Sequence, residues 1–367
     1  MRVERLRIRD FRGYEAAEVE LGEGLTVVSG RNGAGKTNLL EALYFGCTGR
    51  SCRTSNEREV VRIGASAARV EVDVSAEGAR HTLAVGFAPG EAKRPTVDGA
   101  PVERLLDAPG RPLFGVFLPE RLELVKGAPS LRRAHLDGLV AALRPARAAT
   151  RRAYGQALAQ RNALLSRVRA GAASRASLAT WDAELARHGV ALRSDRLEAA
   201  GEVAGRAGRI ARELGLRGGL SVAYRPRSRA ESADDLAAEL AERAEADLER
   251  GFTAHGPHRD DLSLARDGRE LRAYGSQGEQ RLALLALLLA EREAIAARRP
   301  APPVMLLDDV MSELDSERRA RLVERLRTGG QAVVTTTELA HVPGGEEPGV
   351  ARVAVAAGAV LSEARAA

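Results

Sequence analysis

The sequence predicts an α/β protein in which the two ends of the chain build one domain and the middle is a mainly helical insertion. Three observations support this fold class. Segments that alternate apolar and polar residues fill much of the first 120 positions, as in strands with one buried face. Residues 145–214 are rich in Ala, Leu, Arg and Glu, a composition typical of helices. Buried-strand patterns then return at residues 303–308 and 331–337.

The N-terminal part of the chain predicts one helix among several strands. A loop and a helix occupy residues 30–46, and the Asp98-Gly99 pair predicts a hairpin turn within residues 96–102. Alternation or short buried runs predict the other strands, at residues 3–8, 18–21, 24–29, 70–74, 83–87 and 115–120.

The middle of the chain predicts a helical hairpin. Apolar residues recur at helical spacing in residues 145–170 and 177–214, on either side of a break rich in small residues. A third helix is predicted at residues 231–250, and a fourth at 315–327 between the two late strands. The predicted domains are a discontinuous head and a helical arm, at residues 1–127 with 251–367 and at residues 128–250, respectively.

Composition and chain ends narrow the class of protein. With 44% apolar and 29% charged residues, the chain is expected to be soluble, and the longest apolar run has nine residues, too few to span a bilayer. The N-terminus does not resemble a signal peptide. Only two cysteines occur, Cys47 and Cys52, which favours neither disulfides nor a zinc site. We expect a cytoplasmic protein without a membrane partner.

Positive charge is concentrated in the predicted arm. Residues 144–250 contain 20 Arg, no Lys and 14 acidic residues, an excess equal to the net charge of +6 of the whole chain. This pattern fits either a solvated helical surface or a surface for a polyanion, and composition alone leaves both open.

A phosphate-binding motif lies between a predicted strand and a predicted helix. The pattern G-x-x-x-x-G-K-[ST] is matched by Gly30, Arg31, Asn32, Gly33, Ala34, Gly35, Lys36 and Thr37. Glycines let backbone N–H groups surround a phosphate, and the helix N-terminus adds positive partial charge. In this motif the lysine reaches the β- and γ-phosphates and the threonine hydroxyl reaches Mg²⁺. The sequence therefore predicts a nucleotide site.

Two acids follow a hydrophobic strand later in the chain. Asp308 and Asp309 end the segment VMLLDD, where a doubly wound sheet places ligand groups. A plain helix-capping turn would also explain such a pair. Coupled to a phosphate loop, the pair predicts a metal-side acid, Asp308, and an acid that polarises water, Asp309.

A small polar loop precedes an almost wholly apolar helix at residues 274–290. Ser276 caps this helix in the simplest interpretation, but a helix N-terminus with a hydroxyl and free N–H groups is also an anion site. The order of phosphate loop, Ser276-x-Gly278-x-Gln280, acidic strand and residues 312–315 resembles ABC-type ATPases. That resemblance implies an SMC-like ATPase head with a mixed β-sheet and a phosphate loop.

Five segments together resemble the RecF family of bacterial recombination mediator ATPases, and they occur in the same order as in that family. They are DFRGY (10–14), LPERLELVKGAPSLRRAHLD (118–137), GPHRDDL (256–262), YGSQGEQR (274–281) and LLDDVMSELD (306–315).

The resemblance implies ATP and Mg²⁺ as ligands. Lys36 and Thr37 would bind triphosphate and metal, Asp308 would be a second metal ligand, and Asp309 would be the base or water-orienting acid. The signature residue Ser276, acting on the nucleotide of another subunit, completes the predicted catalytic set with Lys36 and Asp309.

Other residues of the matching segments receive narrower expectations. Gly278 and Gln280 would join Ser276 in the signature that contacts the nucleotide of a second copy. Arg12 is a candidate for the base or ribose edge of the nucleotide, and a surface arginine is the equal alternative. His258 and Arg259 match the family, but the sequence assigns them no chemical role.

The resemblance also implies a biological function. ATP would drive homodimerisation on duplex DNA, especially at gap junctions, and slow, DNA-dependent hydrolysis would release it. RecO and RecR would be the partners in loading the recombinase, within DNA repair, recombination, replication restart and the SOS response. The family is also associated with single-stranded DNA, but with 3% aromatic residues base stacking is not expected as the main binding mode.

The sequence lacks two motifs that are typical of transporter-type ATPases. No histidine follows the strand at 331–334, where Thr335, Thr336 and Thr337 stand, and no glutamine equivalent occurs near residues 115–120, where Pro119 and Glu120 stand. Both departures predict slow turnover.

Three alternative functions are a transporter ATPase subunit, an SMC-like tether and a phosphate-loop kinase. A tether would require sustained heptads in the arm, which the sequence does not contain. A kinase would not explain the signature helix.

Overall fold

The computed structural model describes residues 1–76, 78–108 and 110–364, and the chain forms two compact units. Unit 1 comprises residues 1–121, 213–215 and 295–367, and unit 2 comprises residues 122–212 and 216–294. Among the described residues, no helix is both long enough and apolar enough to cross a membrane.

Fifteen strands lie in the described part of the chain. They are β1 Arg2–Phe11, β2 Tyr14–Glu20, β3 Leu25–Ser29, β4 Ala68–Ala76, β5 Ala79–Phe87, β6 Arg94–Val97, β7 Ala100–Pro101, β8 Phe114–Phe117, β9 Leu220–Arg225, β10 Asp261–Arg266, β11 Arg269–Glu270, β12 Val304–Leu307, β13 Ala332–Thr336, β14 Ala351–Ala356 and β15 Ala359–Ala364.

Ten α-helices lie in the same described ranges. They are α1 Lys36–Thr48, α2 Glu123–Lys126, α3 Pro129–Leu143, α4 Ala148–Arg169, α5 Leu178–Glu213, α6 Ala233–Glu242, α7 Ala244–Arg250, α8 Leu271–Tyr274, α9 Gln277–Ala296 and α10 Ser316–Thr328.

Unit 1 is built on two six-stranded sheets. One is antiparallel, in the order β2-β1-β4-β5-β6-β7, and its hairpin turns at Asp98 and Gly99, both with positive φ, as predicted. The other has the order β15-β14-β3-β13-β12-β8, and all its pairs are parallel except β14 with β15. This mixed α/β architecture confirms the predicted fold class.

Helix α1 packs tightly against the antiparallel sheet. A Cβ at Gly46 would come within 2.6 Å of Val72 and 2.8 Å of Val70, so glycine lets the helix approach the strand closely. Leu39, Leu43 and other apolar residues of α1 are fully buried. The first residues of α1 are thereby fixed at the end of β3, where the phosphate motif begins.

Three parallel strands end at the same edge of the mixed sheet. Register pairs Leu307 of β12 with Val334 of β13, and Thr336 of β13 with Ser29 of β3. The residues that follow β3 and β12 therefore lie close to the buried end of β13. They are neighbours in space although about 270 residues separate β3 from β12 in sequence.

Unit 2 contains the predicted helical hairpin. Tyr154 of α4 shares an apolar cluster with Leu185 and Leu192 of α5, and Leu165 of α4 shares another with Leu178 at the start of α5. The predicted third helix was wrong in one respect, because the chain forms two helices, α6 and α7, separated at Arg243.

The structural division differs from the predicted domain boundaries. Residues 251–294, which the sequence assigned to the head, belong to unit 2. The cause is a three-stranded sheet, β11-β10-β9, in which β10 pairs with β9 from the predicted arm, with Asp261 opposite Arg225. Hydrophobic periodicity indicates where strands lie but not which strands pair, so the sequence did not predict this pairing between segments 36 residues apart.

A buried charge cluster holds three helices of unit 2 together. Arg161 of α4 is fully buried and donates to Asp182 of α5 at 2.6 Å, to Asp247 of α7 at 2.7 Å and to Thr253 at 2.8 Å. The two carboxylates are themselves buried. Because one guanidinium satisfies all three groups, its removal leaves two buried acids without their cation.

We expect Arg161→Met to lower the free energy of unfolding by about 3–5 kcal/mol, since breaking a buried pair from one side leaves uncompensated charge. Urea titration followed by circular dichroism measures this loss. Arg151→Met is the control, because the Arg151 side chain is 65% exposed and its ion pair with Asp137 should contribute at most about 1 kcal/mol. Equal losses in the two variants would contradict the role assigned to Arg161.

Candidate nucleotide-binding site

The phosphate loop occupies the turn between β3 and α1. Its first residue, Gly30, donates its N–H to the carbonyl of Thr336 at 3.2 Å, and Ala34 N donates to Arg31 O at 3.1 Å. Helix α1 has Gly35 as its N-cap, with φ of 112°, and no side chain caps it. An uncapped helix N-terminus leaves backbone N–H groups free to bind an anion.

Two glycines of the loop are required by close contacts. A Cβ at Gly30 would lie 2.3 Å from the carbonyl oxygen of Val355. A Cβ at Gly35 would lie 2.9 Å from the hydroxyl of Tyr14, which donates to the Gly35 carbonyl at 3.1 Å. Burial raises the pKa of Tyr14, so this hydroxyl stays protonated and keeps its donor role. Tyr14 belongs to the DFRGY segment, but the sequence assigned it no individual role.

The lysine of the motif is held inside the loop. Lys36 is buried, and its Nζ donates to the carbonyls of Gly30 at 2.7 Å and Arg31 at 3.0 Å. Both acceptors belong to the loop that would surround a phosphate. The ammonium group is therefore placed at the loop, and among the described residues no carboxylate forms an ion pair with it.

Thr37 and Asp308 meet, as the two motifs predicted. The Thr37 hydroxyl lies 2.9 Å and 2.8 Å from the two carboxylate oxygens of Asp308. A third residue, Thr335, is fully buried and donates to the Oδ1 of Asp308 at 2.7 Å. Strands β12 and β13 are parallel neighbours, and Leu307 pairs with Val334. The next residues along the two segments are Asp308 and Thr335, respectively, so Thr335 lies beside Asp308 and orients its carboxylate.

Asp309 lies next to this cluster in a strained backbone conformation. Its φ is 45°, uncommon for a non-glycine residue, and its N–H donates to the Thr335 hydroxyl at 2.9 Å. The hydroxyl of Ser312 donates to the Oδ2 of Asp309 at 3.1 Å. Thr335 thus fixes both acids, one through its donor and one through its acceptor.

The oxygen donors of Thr37 and Asp308 fit Mg²⁺. This cation prefers hard oxygen ligands and is commonly held by one or two carboxylates, water and substrate phosphates. One hydroxyl and one carboxylate within 2.9 Å of each other supply such a partial set, and the phosphates would supply more. When bound, Mg²⁺ would neutralise charge on the phosphate oxygens.

A cleft of about 290 Å³ lies over these groups. It is lined by the phosphate loop together with Arg53, Pro119, Asp308 and Asp309. The volume is at the lower limit of the roughly 300–1,000 Å³ of ligand pockets. Arg53, which the sequence did not single out, donates to Asn38 at 3.1 Å and to the buried Glu41 at 3.3 Å.

Arg12 is engaged with a buried acid. Its Nε and Nη2 donate to the two carboxylate oxygens of Glu41 at 2.9 Å and 2.7 Å. Glu41 is fully buried and also accepts from Ser51 at 2.5 Å. Contact of Arg12 with the base or ribose stays a prediction, because this two-pronged ion pair gives the guanidinium a structural role of its own.

The signature loop lies in unit 2, at the start of α9. The Ser276 hydroxyl accepts from Glu279 N at 3.3 Å, and the Glu279 carboxylate accepts from Ser276 N at 2.8 Å. This reciprocal pair is a capping box. The hydrogen bond from the Ser276 N–H is the main reason that the pKa of Glu279 is lowered, so the acid stays ionised. Ser276 therefore caps α9, as the simplest interpretation held.

Two predicted signature residues differ in accessibility. Gly278 is exposed, like Ser276, and a Cβ there would touch nothing within 4 Å. Gln280 is only 2% exposed, and its Nε2 donates to the carbonyls of Leu271 at 2.7 Å and Gly275 at 3.0 Å. Gln280 thus supports the loop from inside, and its contact with a nucleotide stays a prediction.

The GPHRDD segment is a structural junction of unit 2. His258 Nε2 lies 2.9 Å from the carbonyl of Thr253, which makes Nε2 the donor, and Nδ1 then accepts from Tyr154 at 2.7 Å. Burial lowers the pKa of His258 to about 4, so the ring is neutral at physiological pH. The segment also binds Arg196 through the carbonyl of Pro257 at 2.7 Å.

The fold and the cleft define a phosphate-loop ATPase head of the ABC type. A protein-family model described as an AAA domain matches residues 5–91. A crystallised SMC head bound to the C-winged helix domain of ScpA shares the fold, with a TM-score of 0.60 over 99% of this chain and 98% of that one at 15% identity.

The relatives are more specific. The DNA replication and repair protein RecF of Frankia alni is 39% identical over 98% of this chain and 99% of its own length, and that of Heliobacterium modesticaldum is 36% identical over 92% and 93%. A solved structure of the recombination mediator RecF with ATP, in the RecFOR pathway, has a TM-score of 0.86 at 27% identity over 99% of this chain and 97% of that one. The chain belongs to the RecF family.

Proposed function

We propose that this protein acts in DNA replication and repair, in the RecFOR pathway, as an ATPase whose ATP-bound form is a homodimer on duplex DNA. Its relatives are DNA replication and repair proteins, and a similar solved structure holds ATP. Lys36 of one copy and Ser276 of a second copy would contact the same nucleotide. Two such composite sites would form in a two-fold dimer.

Gly278 carries this proposal. Gly278 lies in the first turn of α9, and among the described residues no atom outside the backbone of that helix lies within 4 Å of the position a Cβ would take. A glycine at this exposed position lets a second molecule approach the backbone at the start of α9 closely. The exposed Ser276 beside it supplies the hydroxyl that such a molecule would meet.

The phosphate loop supplies the other half of the composite site. Its free N–H groups and Lys36 bind the phosphates, and the small cleft leaves one side for a partner to cover. Thr37 and Asp308 hold the metal side. Asp309 would orient or deprotonate the attacking water, with its own position fixed by Thr335.

Slow hydrolysis follows from the residues beside Asp309. Thr335, Thr336 and Thr337 stand at the end of β13, where many ABC-type ATPases have a histidine, and the Thr335 hydroxyl is committed to Asp308 and Asp309. A threonine cannot change protonation state near neutral pH, so it offers no general acid or base. The bound dimer, rather than rapid turnover, would then be the functional state.

DNA and protein partners complete the proposal. The chain has a net charge of +6 and concentrates its arginines in residues 144–250, most of which lie in unit 2. Such charge favours the phosphate backbone of duplex DNA. We place the protein at gap junctions, with RecO and RecR as partners in recombinase loading.

Light scattering of the purified chain tests the proposal. We expect the mass of a monomer without nucleotide and of a dimer with ATP, and a further complex when a gapped duplex is added. A mass that does not respond to ATP would contradict the proposed function. ADP serves as the matched nucleotide without a γ-phosphate, and it should not support the dimer.

We expect Lys36→Met to weaken ATP binding by roughly tenfold to 150-fold, because a hydrogen bond to a charged group contributes about 1.5–3 kcal/mol. Titration calorimetry with ATP measures the change. Lys126→Met removes the same charge from an exposed side chain outside the cleft and should bind ATP like the unmodified protein. Equal binding by the Lys36 variant would remove that residue from the site.

A further inference from the structure

A basic loop follows β9 in unit 2. Arg225, Arg227 and Arg229 are exposed, whereas Ser228 and Ala230 between and after them are buried. We call residues 225–229 the arginine loop. Within the described ranges, none of these three guanidinium groups forms an ion pair or a side-chain hydrogen bond.

The backbone of the arginine loop is firmly anchored. Arg227 N donates to the Oδ1 of Asp260 at 2.6 Å. The hydroxyl of the buried Ser228 donates to Glu239 at 2.6 Å and accepts from Ala230 N at 3.0 Å. The loop therefore holds its shape through internal contacts while its three charged side chains remain available to a partner, which reduces the entropy lost on binding.

The neighbouring acids do not neutralise these charges. Asp260 also accepts a hydrogen bond from the hydroxyl of Tyr224, and Asp261 pairs with Arg132 at 2.7 Å. Glu231 forms no ion pair in the part of the chain that the structure describes. The arginine loop is therefore a local concentration of uncompensated positive charge.

A fourth exposed arginine, Arg259, is the sequence neighbour of the residue that anchors the loop. It directly precedes Asp260. Its guanidinium lies 5.5 Å from the ring centroid of Phe252, which is 41% exposed. This contact restricts the guanidinium, while the ring of Phe252 stays partly exposed beside it.

The chemistry of the surface favours nucleic acid over a folded protein. An interface with a protein needs a central cluster of apolar anchors, and residues 225–229 contribute no large apolar side chain. The three arginines recur every second residue, so their Cα atoms are spaced by at most about 7 Å, in keeping with a regular row of anions. Guanidinium groups also bind phosphate with two hydrogen bonds.

We propose that the arginine loop and Arg259 contact the phosphate backbone of duplex DNA. The proposal rests on the proposed function, which requires DNA binding, and it names the residues that perform it. The exposed arginines would replace counterions on the duplex without reading its sequence. Affinity for duplexes of different sequence should therefore depend on the loop to the same extent.

A triple variant, Arg225→Ala with Arg227→Ala and Arg229→Ala, tests the site. Fluorescence anisotropy with a labelled duplex and ATP, repeated over a range of salt, measures affinity and its salt dependence. We expect at least tenfold weaker binding and a slope of log affinity against log salt that is shallower by about 2 to 3, because each phosphate contact contributes about 0.9. Unchanged affinity and slope would overturn the proposal.

The matched control removes the same charge elsewhere in unit 2. Arg175→Ala, Arg187→Ala and Arg243→Ala affect exposed arginines that have acidic partners, and together they should change the affinity less than threefold. An equal loss in this control would show a net-charge effect and overturn the assignment to the arginine loop.

ATP-dependent dimerisation separates failure of this site from failure of the proposed function. The triple variant should still dimerise with ATP, and its thermal unfolding should match that of the unmodified protein. If the unmodified protein neither dimerises with ATP nor binds duplex, the proposed function fails first. Should the triple variant unfold, Arg227→Ala alone decides, with a slope shallower by about 0.9 supporting the site and an unchanged slope overturning it.

Discussion

We expect Ser276→Arg to abolish ATP-dependent dimerisation while the monomer binds ATP as tightly as the unmodified protein. Ser276 is exposed at the N-terminus of α9, two residues before Gly278, which is also exposed and has no side chain to block a partner. A long arginine there would occupy the space through which a second copy approaches. The phosphate loop lies in unit 1 and keeps all its residues. Light scattering measures the dimer, and calorimetry measures ATP binding.

The control for this variant loses an equivalent helix cap. Ser232 begins α6 with the same reciprocal capping box, its hydroxyl accepting from Asp235 N at 3.1 Å. Ser232→Arg should cost about 1 kcal/mol of stability, as should the change at Ser276, yet it should leave dimerisation intact. If Ser276→Arg dimerised normally with ATP, the composite site would be wrong.

The second large effect is expected at Asp309. Asp309→Asn should lower the rate of ATP hydrolysis by about 10²–10⁴, the usual contribution of general acid–base catalysis, because the amide cannot accept the proton of the attacking water. ATP binding and dimerisation should persist, since Lys36, Thr37 and Asp308 are unchanged. The dimer should also dissociate more slowly, because its release would depend on hydrolysis. Phosphate release and light scattering measure the two quantities.

Asp234→Asn is the matched control for this change. Asp234 lies exposed in the first turn of α6, outside the cleft, so its variant should hydrolyse ATP at the unmodified rate. If Asp309→Asn hydrolysed ATP at that rate as well, Asp309 would not be the catalytic acid. Loss of ATP binding in the Asp309 variant would instead show that the residue contributes to the nucleotide site itself.

Much of the fold was predictable because its periodicities are strong. Alternation in β1, β4 and β5 and helical spacing in α4 and α5 each have one dominant buried face, which the sequence reveals directly. The hairpin of β14 and β15 was missed, since its alanine-rich segment has weak strand propensity and gains its place by pairing with β3. The two compact units differ from the predicted domain boundaries, because the pairing of β9 with β10 is a tertiary contact.

The candidate site was predictable where a motif fixes the backbone. The meeting of Thr37 with Asp308 follows from a phosphate loop and an acidic strand that end at one sheet edge. Thr335 could have been found from the same edge, since it lies next to last in the neighbouring buried strand, beside Asp308. The roles of Tyr14 and Glu41 could not be predicted from the sequence. The role of Tyr14 depends on its contact with Gly35, and that of Glu41 depends on its contact with Arg12. Gln280 shows the converse, a motif residue that the fold buries.

Cross-linking between two differently substituted copies tests the composite site most directly. One copy carries Asn32→Cys, an exposed phosphate-loop position, and the other carries Ser276→Cys, both in a Cys52→Ser background. Burial raises the pKa of the remaining Cys47 thiol, which keeps it unreactive. With ATP and a short bis-maleimide, we predict cross-linked dimers only when both copies are mixed. Equal cross-linking of either copy alone, or an ATP-dependent dimer without the mixed product, would contradict the account.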